Sequence, residues 1–132
     1  MRLQREDGIV ALEFALILPL FLLIVAGIIE FAVMLFDQQV ITNAGREGAR
    51  AGIVQAIPKP SVADIQSVVS TYLTGAGLKA TSATVNVTGA GLTFGNALTV
   101  NVAYPYNFLF LPRFTGGSAS MTLTANTTMR HE

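Results

Sequence analysis

Gly8-Ile-Val-Ala-Leu-Glu13-Phe14-Ala-Leu-Ile-Leu-Pro19, extended through Glu30 to Phe36, decides how this chain is built. Sixteen residues from Phe14 to Ile29 carry no charge. As a helix, residues 9–36 measure roughly 42 Å at ~1.5 Å per residue, and a bilayer core needs only ~30 Å. The segment is long enough to span and too long for the ~7–15-residue apolar region of a signal peptide, although Val25-Ala26-Gly27 offers a weak peptidase site. Pro19 removes one helix hydrogen bond, which predicts a kink or a local loosening. Glu13 follows Gly8 by five positions, close to the start of the span, where an unpaired carboxylate costs several kcal/mol. It calls for a partner. Glu30, at the opposite end, is expected to stay hydrated at the interface and to need none.

Charge does not orient the span, because Arg2 and Arg5 on one side balance Arg46 and Arg50 on the other. The folded part has to lie C-terminal to it. From Asp37 to Gln55 there is no proline, and Val40, Ile41, Ala44, Gly48, Ala51 and Gly52 recur at helical spacing. The helix is therefore expected to continue beyond the membrane, up to Pro58 and Pro60. Its stripe is small. Ala44, Gly48, Ala51 and Gly52 let another backbone approach closely, and each glycine costs ~1 kcal/mol inside a helix, so a compensating contact is required. A neighbouring subunit and the chain's own domain both qualify.

Ser61-Val-Ala-Asp64 reads as a helix start, with Ser61 as N-cap and Asp64 near the positive end of the dipole. Ile65, Val68, Val69, Tyr72 and Leu73 form its core stripe, and Gly75 and Gly77 end it. The period then changes to two. Ala83, Val85 and Val87, then Leu98, Val100, Val102 and Tyr104, then Met121, Leu123 and Ala125 alternate with polar residues, mostly threonine. They predict three half-buried antiparallel strands. Such a domain is marginal alone, and laying its apolar face on residues 40–52 supplies the missing burial. The connection Tyr104-Pro-Tyr-Asn-Phe-Leu-Phe-Leu-Pro-Arg-Phe114 is very apolar. Its prolines argue against a central strand, and it is expected to fold over the open end of the core rather than to form a contact patch.

With 132 residues and one span, there is room for one small domain. The net charge is zero and the Arg and Lys residues are scattered, which excludes a nucleic-acid footprint. There is no cysteine. The single histidine, His131, sits beside the C-terminus and is expected to be exposed. No Cys/His metal spacing, Gly-x-Ser-x-Gly turn or phosphate-cradling loop is present. Asn86-Val-Thr88 and Asn126-Thr-Thr128 match the glycosylation pattern, which Thr-rich strands generate by chance. The chain is expected to be non-enzymatic, with no cofactor, metal or small-molecule substrate.

The charged leader ending in Gly8, the apolar helix and Glu13 resemble the type IV prepilin class. Gly8 to Pro19, Asn43-Ala-Gly-Arg-Glu-Gly-Ala-Arg-Ala-Gly52 and Thr127-Thr-Met-Arg-His-Glu132 resemble, more narrowly, the TadE-like pseudopilins of the tight-adherence (Flp, type IVc) pilus system. The resemblance implies that a prepilin peptidase cuts between Gly8 and Ile9 and that the leader is cytoplasmic. It implies that Glu13 pairs with the free amine of a neighbour's Ile9, with Phe14 and Pro19 in the same assembly segment. Major Flp pilins are shorter and carry Glu-Tyr where this chain has Glu13-Phe14, so the resemblance points to a minor pseudopilin.

The organisation expected is a leader over 1–8, a transmembrane helix over 9–36, its extracytoplasmic continuation over 37–56 and a small α+β domain over 57–132. The expected place is the bacterial inner membrane, and a pilus after assembly. The expected partners are the prepilin peptidase, other pilins and pseudopilins, and the inner-membrane assembly platform, in a system for adherence and biofilm formation. The alternative is a single-span binding module that is neither cleaved nor polymerised.

Overall fold

The computed structural model describes the backbone of residues 3–131 and the side chains of residues 8–114 and 116–131. Met1 and Arg2 of the leader and Glu132 of the C-terminal ending lie outside the described residues.

One helix, α1, runs from Leu3 to Ile53 without interruption, with Pro19 inside it. Its 51 residues correspond to roughly 77 Å. The two halves have different surroundings. From Gly8 to Ile24 every side chain is exposed. From Glu30 onward one face is covered, and Val40, Ile41, Ala44, Gly45, Gly48, Ala49 and Gly52 are buried. Ala51, on the expected stripe, is only half-buried.

Helix α2 spans Val62–Gly75. Its start is a reciprocal capping box: the Asp64 N–H donates to Ser61 Oγ at 3.2 Å, and the Ser61 N–H donates to Asp64 Oδ2 at 2.8 Å. The Ser61 hydroxyl and amide hold the Asp64 carboxyl below the usual carboxylate range. Ile65, Val69 and Leu73 are buried, while Tyr72 turns outward. A short 3-10 turn at Ala80–Ser82 leads into the sheet.

The sheet has strands β1 (Thr84–Thr88), β2 (Ala97–Asn107) and β3 (Ser120–Arg130), antiparallel in the order β1-β2-β3. A five-residue helix, α3 (Leu111–Thr115), lies between β2 and β3. The register sets Val87 opposite Val100 and Val102 opposite Ala125. Leu98, Val100, Val102, Leu123 and Ala125 face the helices and are buried. The β1–β2 turn depends on Gly89, at φ +84°, because a Cβ there would run into the Ala97 carbonyl. The architecture is α+β, with α1 over β2 and β3, and α2 beside it.

Three details differ from the expectations. Pro105 lies inside β2, which is the central strand. β1 pairs with β2 only through Ala103, so at Pro105 the strand has a partner on one side only, Thr122 of β3, and the missing N–H is tolerated as at an edge. His131 is buried rather than exposed: Nε2 lies 2.9 Å from the Gly89 carbonyl oxygen, and its backbone bonds Asn96 and Gly95. It closes the end of the sheet. The connection of residues 104–114 divides: Tyr106 is buried and Phe108 half-buried, whereas Leu109, Phe110, Leu111 and Phe114 are exposed.

The small face of α1 explains the close approach. A Cβ on Gly48 would stand 2.5 Å from Val69 Cγ2, and one on Gly52 would meet Leu98 Cδ2 and, at 2.6 Å, Ile65 Cδ1. These neighbours are fully buried and cannot swing away. Gly48→Leu and Gly52→Leu are therefore expected to destabilise the chain by about 1–3 kcal/mol each. Gly27→Ala, whose Cβ would meet nothing within 4 Å, is expected to leave stability unchanged. Chemical denaturation in detergent micelles measures all three.

Candidate functional site

Two regions of α1 carry carboxylates in apolar surroundings, and the structure treats them oppositely. Gly8, Ile9, Glu13, Phe14 and Pro19 all lie on the exposed N-terminal half. Ile9 is 58% exposed and Phe14 63% exposed. Glu13 makes no hydrogen bond or ion pair with any described residue. The chain thus places the processing and assembly candidates together on bare helix, one turn after another, with Glu13 four residues beyond Ile9 and on the same side. The four packing candidates lie elsewhere: Gly48 and Gly52 are occupied by α2 and β2 of the same chain, and Ala44 is buried with them.

Glu30 is the residue whose role the sequence does not disclose. It is 6% exposed, not hydrated at an interface. The Leu109 N–H donates to Oε1 at 2.6 Å and the Phe110 N–H donates to Oε2 at 2.6 Å. Tyr106 Oη donates to Oε1 at 2.9 Å and lies 3.2 Å from the Glu30 carbonyl oxygen. Both carboxylate oxygens are satisfied by a strand end and by the loop that enters α3. Charge-assisted bonds of this length are roughly twice as strong as neutral ones. They tie the far end of β2 to a fixed height on α1. Tyr106 also meets Phe108 edge to face, with ring centroids 5.3 Å apart. The only advance signal was the pairing of a carboxylate in an apolar run with an apolar, Pro-bounded connection, and nothing in the spacing joins the two.

Among the described residues, no group of three or more His, Cys, Asp or Glu side chains is placed to hold a metal ion. Beside the Glu30 clamp, an apolar groove of about 450 Å³ opens between α1 and α3. Leu23, Gly27 and Phe31 line one wall, and Phe110, Leu111 and Phe114 the other.

Among the described residues, one helix, the one that carries the small α+β head, is long and apolar enough to cross a membrane. Residues 8–50, the greater part of α1, match the family model described as TadE-like protein. No curated protein and no solved structure matches it.

Burial and the Glu30 carboxylate push the Tyr106 phenol up from 10.0 to about 12. A raised folded-state value means that this stabilisation is complete below pH 10 and is lost as pH rises through about 12. An ultraviolet absorbance titration is expected to show one tyrosine ionising near pH 12, and Glu30→Gln is expected to bring that step down. Tyr106→Phe, which removes a bond to a charged acceptor, is expected to cost roughly 1.5–3 kcal/mol in unfolding experiments.

Proposed function

We propose that the chain is a minor pseudopilin that takes part in assembly of a type IVc (Flp/Tad) pilus used in adherence and biofilm formation. The observation that carries this reading is the TadE-like match, which begins at Gly8 and takes in Glu13 and Pro19. The precursor inserts in the inner membrane with a cytoplasmic N-terminus and an extracytoplasmic head. A prepilin peptidase removes residues 1–8. The new amine of Ile9 and the carboxylate of Glu13 then pair between neighbouring subunits. The exposed N-terminal half of α1 supports this, since both groups stand where another helix can reach them.

The pairing has a physical rationale. An ionised carboxylate in hydrocarbon is costly, and an equally displaced ammonium on a neighbour offsets much of that cost while fixing the axial stagger of two helices. A subunit of this kind acts through contacts rather than chemistry. Its partners are the peptidase, other pilins and pseudopilins of the same system, and the inner-membrane assembly platform.

Intact mass of the protein from membranes, with and without a functional prepilin peptidase, tests the processing step. The expected result is a form beginning at Ile9, seen only with the peptidase; an uncut chain in both strains would leave a plain single-span anchor. Glu13→Leu is expected to insert in the membrane normally and to be absent from assembled pili, as immunoblotting of sheared filaments against membrane fractions would show. Unimpaired incorporation of that variant would remove the role assigned to Glu13.

A further inference from the structure

We infer that α3 is a wedge set in the bilayer leaflet on the side of the head, and that the groove between α3 and α1 takes one acyl chain of a membrane phospholipid. The inference rests on the reading that residues 9–36 span a membrane, and it concerns a surface that this reading does not use.

Depth carries the inference. A bilayer core of ~30 Å takes up about 20 helical residues. If the core begins at Ile9, just past the charged residues Arg5, Glu6 and Asp7, it ends near Ile29. If it begins at Glu13, it ends near Val33. The α1 wall of the groove includes Leu23 and Gly27. Leu23 lies six residues below Ile29 and ten below Val33, which is about 9 Å or 15 Å inside the core. On either placement, the Leu23 end of the groove that α3 lines from the other side is below the hydrocarbon boundary.

The chemistry of α3 fits that depth. Leu109 and Phe110, just ahead of α3, and Leu111 and Phe114 within it are exposed, with Met121 beside them. They form a contiguous apolar surface along the groove, separate from the exposed Ile57 and Phe94 that line another groove of the head. Arg113 is the one charged residue of α3, and its long side chain can reach back to the headgroup phosphates. The Glu30 clamp satisfies the backbone N–H groups of Leu109 and Phe110, so the loop brings fewer unpaired donors into an environment without water. The groove is almost wholly apolar along its lining and continuous with the lipid-facing surface of α1. At about 450 Å³ it has room for part of a hydrocarbon chain.

The full chain contains no tryptophan, so Phe114→Trp supplies a single emitter when the protein is reconstituted in phosphatidylcholine vesicles. The expected result is blue-shifted emission, quenched roughly twofold or more by lipids brominated in the upper part of the acyl chain and unaffected by diluting the protein in lipid. A Gly27→Phe change fills the groove from α1, where a Cβ meets nothing within 4 Å, and is expected to cut that quenching by roughly half. Water-like, unquenched emission at position 114, with a Leu16→Trp control quenched, would overturn the wedge and leave the anchor intact. Quenching that Gly27→Phe does not reduce would overturn the acyl site. Emission that follows protein density would assign the groove to a second copy of the chain, which also overturns it. An unquenched Leu16→Trp control would remove the membrane-spanning reading together with the wedge.

Discussion

The Glu30 carboxylate sets the geometry on which the rest of the molecule depends. It stands where the bare part of α1 gives way to the covered part, and it gathers two backbone amides and a phenol from a segment nearly eighty residues away in sequence. Removing a carboxylate from water is expensive, and this one repays the cost only because each oxygen has a short, charge-assisted bond. The arrangement brings the end of β2 down against α1 and fixes where α3 must lie. Without it, the apolar loop of residues 108–114 would have no attachment to a particular level of the helix.

Above that point, packing takes over from hydrogen bonding. The small residues of α1 allow α2 and the sheet to lie almost against its backbone, with Gly48 under Val69 and Gly52 between Leu98 and Ile65. A domain of this size has little interior of its own, and a helix that serves as both anchor and core wall gives it one. The same helix is therefore bare and apolar over its N-terminal half and covered on one face over its C-terminal half. The capping box at Ser61 and the tight turn at Gly89 then define where the chain leaves that core and where it returns.

Much of this was legible in the residues. Period-two alternation located all three strands, because threonine and asparagine on one face and valine and leucine on the other leave little choice of register. Ser61 and Asp64 announced the start of α2, and the stripe from Val40 to Gly52 announced the seat of the sheet. The parts that stayed hidden depend on contacts distant in sequence. Glu30 looked like an ordinary interfacial carboxylate because its donors lie beyond position 105. Pro105 argued against a central strand, and only the short reach of β1 shows why it is accepted there. His131 looked like a terminal residue in solvent until the turn at Gly89 supplied its acceptor. Glu13 makes no hydrogen bond or ion pair with any described residue.

The unbroken course of α1 also has a rotational consequence. Successive helical residues advance by about 100° around the axis, so the seventeen steps from Glu13 to Glu30 leave the two side chains about 100° apart in azimuth. Glu30 is locked to the head by its hydrogen bonds to Tyr106, Leu109 and Phe110, and no loop or second helix intervenes between it and Glu13. The compass bearing of Glu13 is thereby set by the head. Any neighbour that engages Glu13 from within the membrane also fixes the direction in which the α+β head faces above it.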